Sequence, residues 1–166
     1  FGDTRLVRFG FNAGQQDGDY DYSLHSRIID PLVTPVPIEA QYGTRMSVKM
    51  RKYGAYAAWR QRIGGRFTAE VGGRVDSYRY DSGLDFGTVG PRVNAVYAVG
   101  DSGELRAAWG LFHQPQSVNE LQVEDDVTQF FEPERVRHIV LGYTHRFAHG
   151  LSARLDLYDK AYDDLR

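Results

Sequence analysis

The residues best suited to binding chemistry cluster in one irregular stretch, residues 114–134. Aromatic rings beside amides and carboxylates bind sugars or polar metal chelates by stacking and hydrogen bonding. The carboxylates could also take Ca²⁺, although their spacing matches no EF-hand, and a solvated loop without a ligand is the plainer alternative. The candidate ligand-binding residues are Gln114, Gln116, Asn119, Glu124, Asp125, Asp126, Phe130 and Phe131.

A second set of ionisable residues alternates with apolar residues along the chain. A period of two places charged and apolar side chains on opposite faces of a strand. These charges either contact a ligand or another domain, or neutralise one another across neighbouring strands, and we favour the second interpretation. The set comprises Arg66, Glu70, Arg74, Asp76, Arg92, Glu104, Arg106, Arg154 and Asp156.

Catalytic and metal chemistry find no support in the sequence. There is no Ser/His/Asp order, no phosphate loop and no zinc motif with supporting context. The absence of cysteine excludes thiol nucleophiles and disulfides, and the five histidines show no ligand spacing on one strand face. The net charge of −2 does not indicate a nucleic-acid partner. We therefore expect a protein that is not an enzyme and holds no cofactor and no metal.

Seven strand-like segments carry the alternation. The clearest is the last, where Leu151, Ala153, Leu155 and Leu157 alternate with polar residues. The segments are predicted at 4–22, 45–62, 66–76, 91–99, 104–113, 135–147 and 151–158. The stretch 25–43 contains three prolines, which predicts a loop because proline cannot donate to a strand ladder.

The connections alternate between short and long. Short turns are predicted at 63–65, 100–103 and 148–150, and longer loops at 25–43, 81–87 and 114–134. Short turns at one rim and long loops at the other are typical of outer-membrane barrels. The predicted fold is all-β, an antiparallel up-and-down meander of about seven strands that forms part of a transmembrane β-barrel. The nine charged residues then face the lumen, and an outward aromatic belt is formed by Trp59, Trp109, Tyr53, Tyr97 and Tyr143.

Four motifs resemble TonB-dependent outer-membrane receptors. They are YGAYAAWR at 53–60, VGGRVD at 71–76, GPRVNAVY at 90–97 and LRAAWGLFHQP at 105–115. Their order and spacing are similar to the middle-to-late part of that family's barrel.

The resemblance implies a 22-stranded barrel in the bacterial outer membrane that takes up a scarce nutrient. Typical cargoes are iron–siderophore complexes or oligosaccharides. The implied partners are the lipid bilayer, a plug domain that fills the lumen, the TonB complex that supplies energy, and the small-molecule nutrient. No plug or TonB-contacting segment is evident, so residues 1–166 are expected to be a partial barrel domain of a larger receptor.

Two alternatives stay open at this point. One is a small complete eight-stranded outer-membrane barrel with a structural or adhesive role. The other is a soluble lipocalin-like binder, whose apolar faces would point inward around an apolar ligand. Flanking sequence, closure of the barrel and the direction of the apolar side chains discriminate among the three.

Overall fold

The computed structural model describes residues 5–30, 34–125 and 128–163 and shows a single curled sheet. Each strand pairs antiparallel with the next, in the order β1 to β7, so the half-barrel is an up-and-down meander and the predicted fold class is confirmed. Short 3₁₀ turns occur at Val123–Asp125 and Ala148–Gly150. The strands are β1 Arg5–Asp30, β2 Thr34–Ile63, β3 Phe67–Tyr80, β4 Asp85–Val99, β5 Gly103–Gln114, β6 Glu134–Arg146 and β7 Ser152–Asp163.

The loop predicted at 25–43 is wrong, because β1 and β2 continue through most of it as a paired hairpin. Pairing extends through Ile28 opposite Ile38 to Asp30 opposite Thr34, and the register shifts between these two pairs. Pro35 and Pro37 fall within this irregularity, and bulges are positions where a strand tolerates proline. Residues 31–33 lie outside the described part of the chain.

The other two predicted long loops are 81–87 and 114–134. The predicted loop 81–87 is mostly a tight turn, because β4 already begins at Asp85. The turn is closed by the Tyr80 amide, which donates to the Leu84 carbonyl at 2.9 Å, and Gly83 adopts the left-handed φ of 87°. Residues 115–125 and 128–133 are irregular, as predicted, apart from one 3₁₀ turn.

One parity rule organises the whole sheet. Every register pairs odd-numbered residues with odd and even with even, so the sheet has an odd face and an even face. One row across the odd face consists of Val7, Trp59, Val71, Val93, Trp109 and Ile139, and it ends on β7 at Asp159. All five predicted belt aromatics also lie on the odd face and are exposed.

The odd face carries a continuous exposed apolar band. Its side chains include Phe11, which is 89% exposed, and Leu155, which is 65% exposed. On β4 the band runs from Val89 to Val99, and about ten residues tilted near 45° cover roughly 25 Å. At the end of the sheet that carries residues 115–133, the band gives way to charged residues such as Arg51 on β2. The band therefore has about the height of the outward apolar band of transmembrane β-barrels.

The β5–β6 hairpin leaves the wall at one end and passes over the even face. Pairing of β4 with β5 stops at Arg92 opposite Gly110, whereas β5 and β6 stay paired to Gln114 opposite Glu134. A Cβ atom at Gly90 would lie 2.8 Å from the Leu111 carbonyl oxygen, so the hairpin crosses where β4 has no side chain. Residues 115–125 and 128–133 therefore lie over the even face of β1–β3.

The crossing at Gly90 generates a prediction. Gly90→Ala should destabilise the protein by about 1–3 kcal/mol, because the new methyl group meets backbone that cannot rotate away. Equilibrium unfolding of the purified protein measures the change. Gly87→Ala is the matched control, since a Cβ atom there meets nothing within 4 Å. Equal effects of the two substitutions would contradict the proposed crossing contact.

Candidate functional site

The first ionic cluster on the even face is centred on Glu70. Its Oε2 atom accepts from Arg8 Nη2 at 2.7 Å and from Arg60 Nε at 2.9 Å, and Oε1 accepts from Asn94 Nδ2 at 3.4 Å. The carboxylate is 12% exposed, so water screens these contacts only in part. One carboxylate thus ties together β1, β2, β3 and β4 while facing two guanidinium groups.

The second ionic cluster lies further along β3, at Arg74 and Asp76. Arg74 donates to both carboxylate oxygens of Asp76 at 2.6 Å and to Asn12 Oδ1 at 2.7 Å. Between β1 and β3 stands Gly54, where a Cβ atom would lie 2.5 Å from Arg74 Nη2. The guanidinium therefore reaches across β2 only because residue 54 has no side chain.

Two further ion pairs lie on β5 and β7. Arg106 Nη2 donates to Thr144 Oγ1 at 2.7 Å, while its Nε lies 3.4 Å from Glu104 Oε1 without hydrogen-bond geometry. Arg154 Nε donates to Asp156 on β7, opposite Gly142 on β6.

Eight of the nine predicted charged residues lie on the even face. Arg66 instead belongs to the exposed turn between β2 and β3, where its carbonyl oxygen accepts from the Ala98 amide at 2.8 Å. Seven of the eight are in ion pairs, mostly between residues two apart on one strand rather than across strands. The exception is Arg92. Sequence reasoning missed the partners Arg8, Arg60, Asn12 and Asn94, although all four are even-numbered and share this face.

Residues 115–125 and 128–133, which we call the strap, are fixed to the even face by two tyrosines. The Tyr20 hydroxyl donates to the Val118 carbonyl at 2.6 Å and accepts from the Leu121 amide at 3.0 Å. The Tyr80 hydroxyl donates to the Gln116 carbonyl at 2.7 Å. Since Tyr20 is on β1 and Tyr80 on β3, the strap spans the even face from the β5–β6 hairpin back to β1.

An apolar cluster forms beneath the strap. Phe130 stacks on Tyr80 with ring centroids 4.4 Å apart. This cluster holds most of the buried apolar residues of the described chain, and so it is where the core lies. Its members are Val48, Met50, Tyr78, Tyr80, Val118, Leu121, Val123 and Phe130.

The predicted ligand-binding residues divide into buried and exposed groups. Gln116 is 4% exposed and braces the strap, since its Nε2 donates to the Glu120 carbonyl at 3.1 Å and its Oε1 accepts from the Phe131 amide at 3.2 Å. Phe130 is buried in the apolar cluster. The side chain of Glu124, and Asp126 altogether, lie outside what the structure describes. The exposed members are Gln114, Asn119, Asp125 and Phe131.

A cavity of about 170 Å³ lies on the even face beside the point where β5 passes into the strap. It is lined by Lys52, Asp76, Tyr78, Thr88 and His113, among others. Lys52 Nζ lies 5.2 Å from the centre of the Tyr78 ring. Burial raises the pKa of Tyr78. Burial, together with the positive charge of Arg135, lowers the pKa of His113 against the opposing effect of Asp76. The lowered pKa favours the neutral form of this histidine.

The described residues offer neither a metal-binding cluster nor a membrane-spanning helix. Across residues 5–30, 34–125 and 128–163, no group of three or more His, Asp or Glu side chains could hold a metal ion. In the same residues, no helix is both long and apolar enough to pass through a bilayer.

The fold and its two faces define the class, a section of β-barrel wall with one apolar and one ionic side. The sequence matches the family model described as TonB dependent receptor-like, beta-barrel, over residues 1–166, and the chain belongs to this family. No curated protein matches it in sequence.

A solved structure has the same fold. A chain of the "Structure of the FpvAI-pyocin S2 complex" superimposes with a TM-score of 0.57 at 16% sequence identity. The match covers 93% of this chain and 26% of that one, so this chain spans about a quarter of the solved chain.

The strap anchor generates a prediction. Tyr20→Phe should leave the Val118 carbonyl and the Leu121 amide without partners, at a cost of about 1–3 kcal/mol. Hydrogen exchange of the amides at 116–123 should accelerate. Tyr22→Phe is the matched control, because the Tyr22 hydroxyl makes no hydrogen bond in the described part of the chain. Unchanged exchange in Tyr20→Phe would show that the hydroxyl does not hold the strap.

The neutral state of His113 predicts acid sensitivity. Because its pKa is lowered in the folded state, the unfolded chain binds the proton more readily, so stability is intact above pH ~6.5 and falls as the pH drops through the folded-state pKa. Melting temperatures measured across this range test the effect. His113→Gln should reduce the acid-induced loss, whereas His25→Gln, at an exposed site on β1, should not. An identical acid profile for His113→Gln and the unaltered protein would refute this assignment.

Proposed function

We propose that this chain forms part of the wall of a bacterial outer-membrane receptor that takes up a scarce nutrient, such as an iron–siderophore complex or an oligosaccharide. Residues 1–166 are a partial barrel domain of that receptor. The remaining strands and a plug domain complete it, and the TonB complex supplies energy. The wall binds and passes cargo and catalyses no reaction.

The exposed apolar band on the odd face carries the proposal. Soluble monomers rarely expose contiguous apolar patches beyond a few hundred Å². Here Val71, Leu141 and Leu155, from the third, sixth and seventh strands, are all 44% exposed or more. A lipid bilayer is the solvent that favours such a surface at this height. In a soluble lipocalin-like binder these side chains would instead converge on a dry interior.

The even face is the lumen side in this proposal. Its ion pairs and its covering strap suit a wet, partly filled interior. In the described residues β1 and β7 each pair on one side only, which suits a section of a wider barrel better than a small closed one. We assign cargo contacts to Gln114 at the end of β5 and to the exposed strap residues Asn119, Asp125 and Phe131, with Glu124 and Asp126 as further candidates from the sequence.

Site-directed spin labelling tests the orientation, and the lack of native cysteine makes single labels straightforward. Cysteine is introduced one residue at a time at 93, 94, 95 and 96 on β4 in the full-length receptor, reconstituted in lipid. Labels at Val93 and Ala95 should be more accessible to oxygen, and labels at Asn94 and Val96 to a polar nickel chelate. A label at Ser82, in the turn after β3, is the control for aqueous exposure.

The outcome is read from the alternation itself. Preferential contact of Val93 and Ala95 with the polar reagent would overturn the proposal and favour a soluble binder. Equal accessibility at all four positions would also overturn it, since neither face would then lie against lipid.

A further inference from the structure

Arg92 is the exception among the charged residues of the even face. In the described part of the chain its guanidinium makes no hydrogen bond and no ion pair, and its Nε atom is buried without a partner. A buried donor without a hydrogen-bond partner is unfavourable, although the Arg92 side chain as a whole is only half-buried. Such a residue either destabilises the protein or pairs with a group that lies outside this sheet.

The strand register pairs Arg92 with two glycines, Gly72 on β3 and Gly110 on β5. The Phe112 ring lies over Gly110, 3.0 Å from where a Cβ atom would stand. Gly72 cannot easily be larger, because a Cβ atom there would lie 2.8 Å from the Ala57 carbonyl oxygen. The absence of a side chain directly opposite Arg92 on β3 is therefore fixed by the backbone packing.

The nearest acceptors are already committed. Glu70 accepts from Arg8 and Arg60 together, and Asp76 is taken by Arg74. Arg92 instead opens into a cavity of about 370 Å³ that it shares with Arg8, Glu70, Arg74 and Asn94.

The cavity carries an excess of positive charge. Three arginines line it against one carboxylate, and Asp76 beside it is occupied by Arg74. On the opposite side of the sheet the next residue, Val93, belongs to the apolar band, so the cavity lies at the depth of that band. Low local dielectric strengthens the attraction of such a site for an anion.

We propose that Arg92 binds an anionic oxygen group, a carboxylate or a phosphate, within this cavity. The planar guanidinium suits two parallel hydrogen bonds to such a group. The proposal rests on the even face being the lumen side. The group comes either from a segment of the receptor that fills the lumen or from an anionic solute that enters it.

Thermal unfolding of the full-length receptor in detergent tests the site, with inorganic phosphate as the probe. Arg92→Met removes the charge and keeps an unbranched stem. Arg92→Lys keeps the charge and loses the two-pronged geometry. Arg62→Gln is the matched control, because it removes one positive charge from the same face at the turn, where Arg62 Nη2 donates only to the Gly65 carbonyl.

Two results support the proposal and separate the sources of the anion. If a lumen-filling segment supplies the group, Arg92→Met lowers the melting temperature by several degrees relative to Arg62→Gln, Arg92→Lys recovers part of the loss, and phosphate changes nothing. If a solute supplies it, phosphate raises the melting temperature of the unaltered receptor. Sodium chloride at equal ionic strength does not, and Arg92→Met abolishes the effect.

One result overturns it. If Arg92→Met is as stable as the unaltered receptor or more stable, and phosphate has no effect, then the guanidinium has no partner. Its burial then only lowers the stability of the receptor. That result leaves the transport proposal intact, because the spin-label alternation at 93–96 is measured independently. Loss of that alternation would instead show that the even face does not line a lumen, and this conclusion does not depend on Arg92.

Discussion

The register of the sheet is the constraint on which the rest of the structure depends. Antiparallel pairing fixes which residues stand opposite one another, and a slip of one residue would move every side chain to the other face. All six pairings preserve parity, so a valine on β1 and an isoleucine on β6 belong to the same apolar surface. The two faces therefore differ in solvent preference across the whole width of the sheet.

Glycine determines what the even face can hold. Arginine side chains need room to lie across neighbouring strands, and a flat pleated surface offers little. Gly54 leaves space for Arg74 to reach Asn12, and Gly142 leaves space beside Asp156. Glycine weakens a strand interior by itself, so ionic contacts across the vacated positions offset part of that cost. The positions of the glycines therefore determine where ionic clusters can form on the even face.

Much of this could be predicted from sequence, because alternation is a local signal. The faces of Val71, Arg74, Leu155 and Asp156 follow from a period of two. The long β1–β2 hairpin could not be predicted, because Pro35 and Pro37 are residues that usually interrupt a strand. The register shift explains how the hairpin accommodates them. The packing of the strap could not be predicted either. Gln116 and Phe130 resemble ligand contacts by type, and their burial depends on Tyr20 and Tyr80, which lie far away in sequence.

The location of the core links stability to function. Most of a barrel wall gains little from burial within one chain segment, because its apolar side faces lipid and its inner side is wet. Here the buried apolar residues gather where the strap meets β1, β2 and β3, and the exposed cargo candidates sit on the same strap. In the proposed receptor, any cargo that moves the strap would work against the packing of Phe130 on Tyr80 and the two tyrosine hydroxyl contacts. A cargo that binds the strap as it lies would stabilise the same core, so the proposal links binding at this site to local stability.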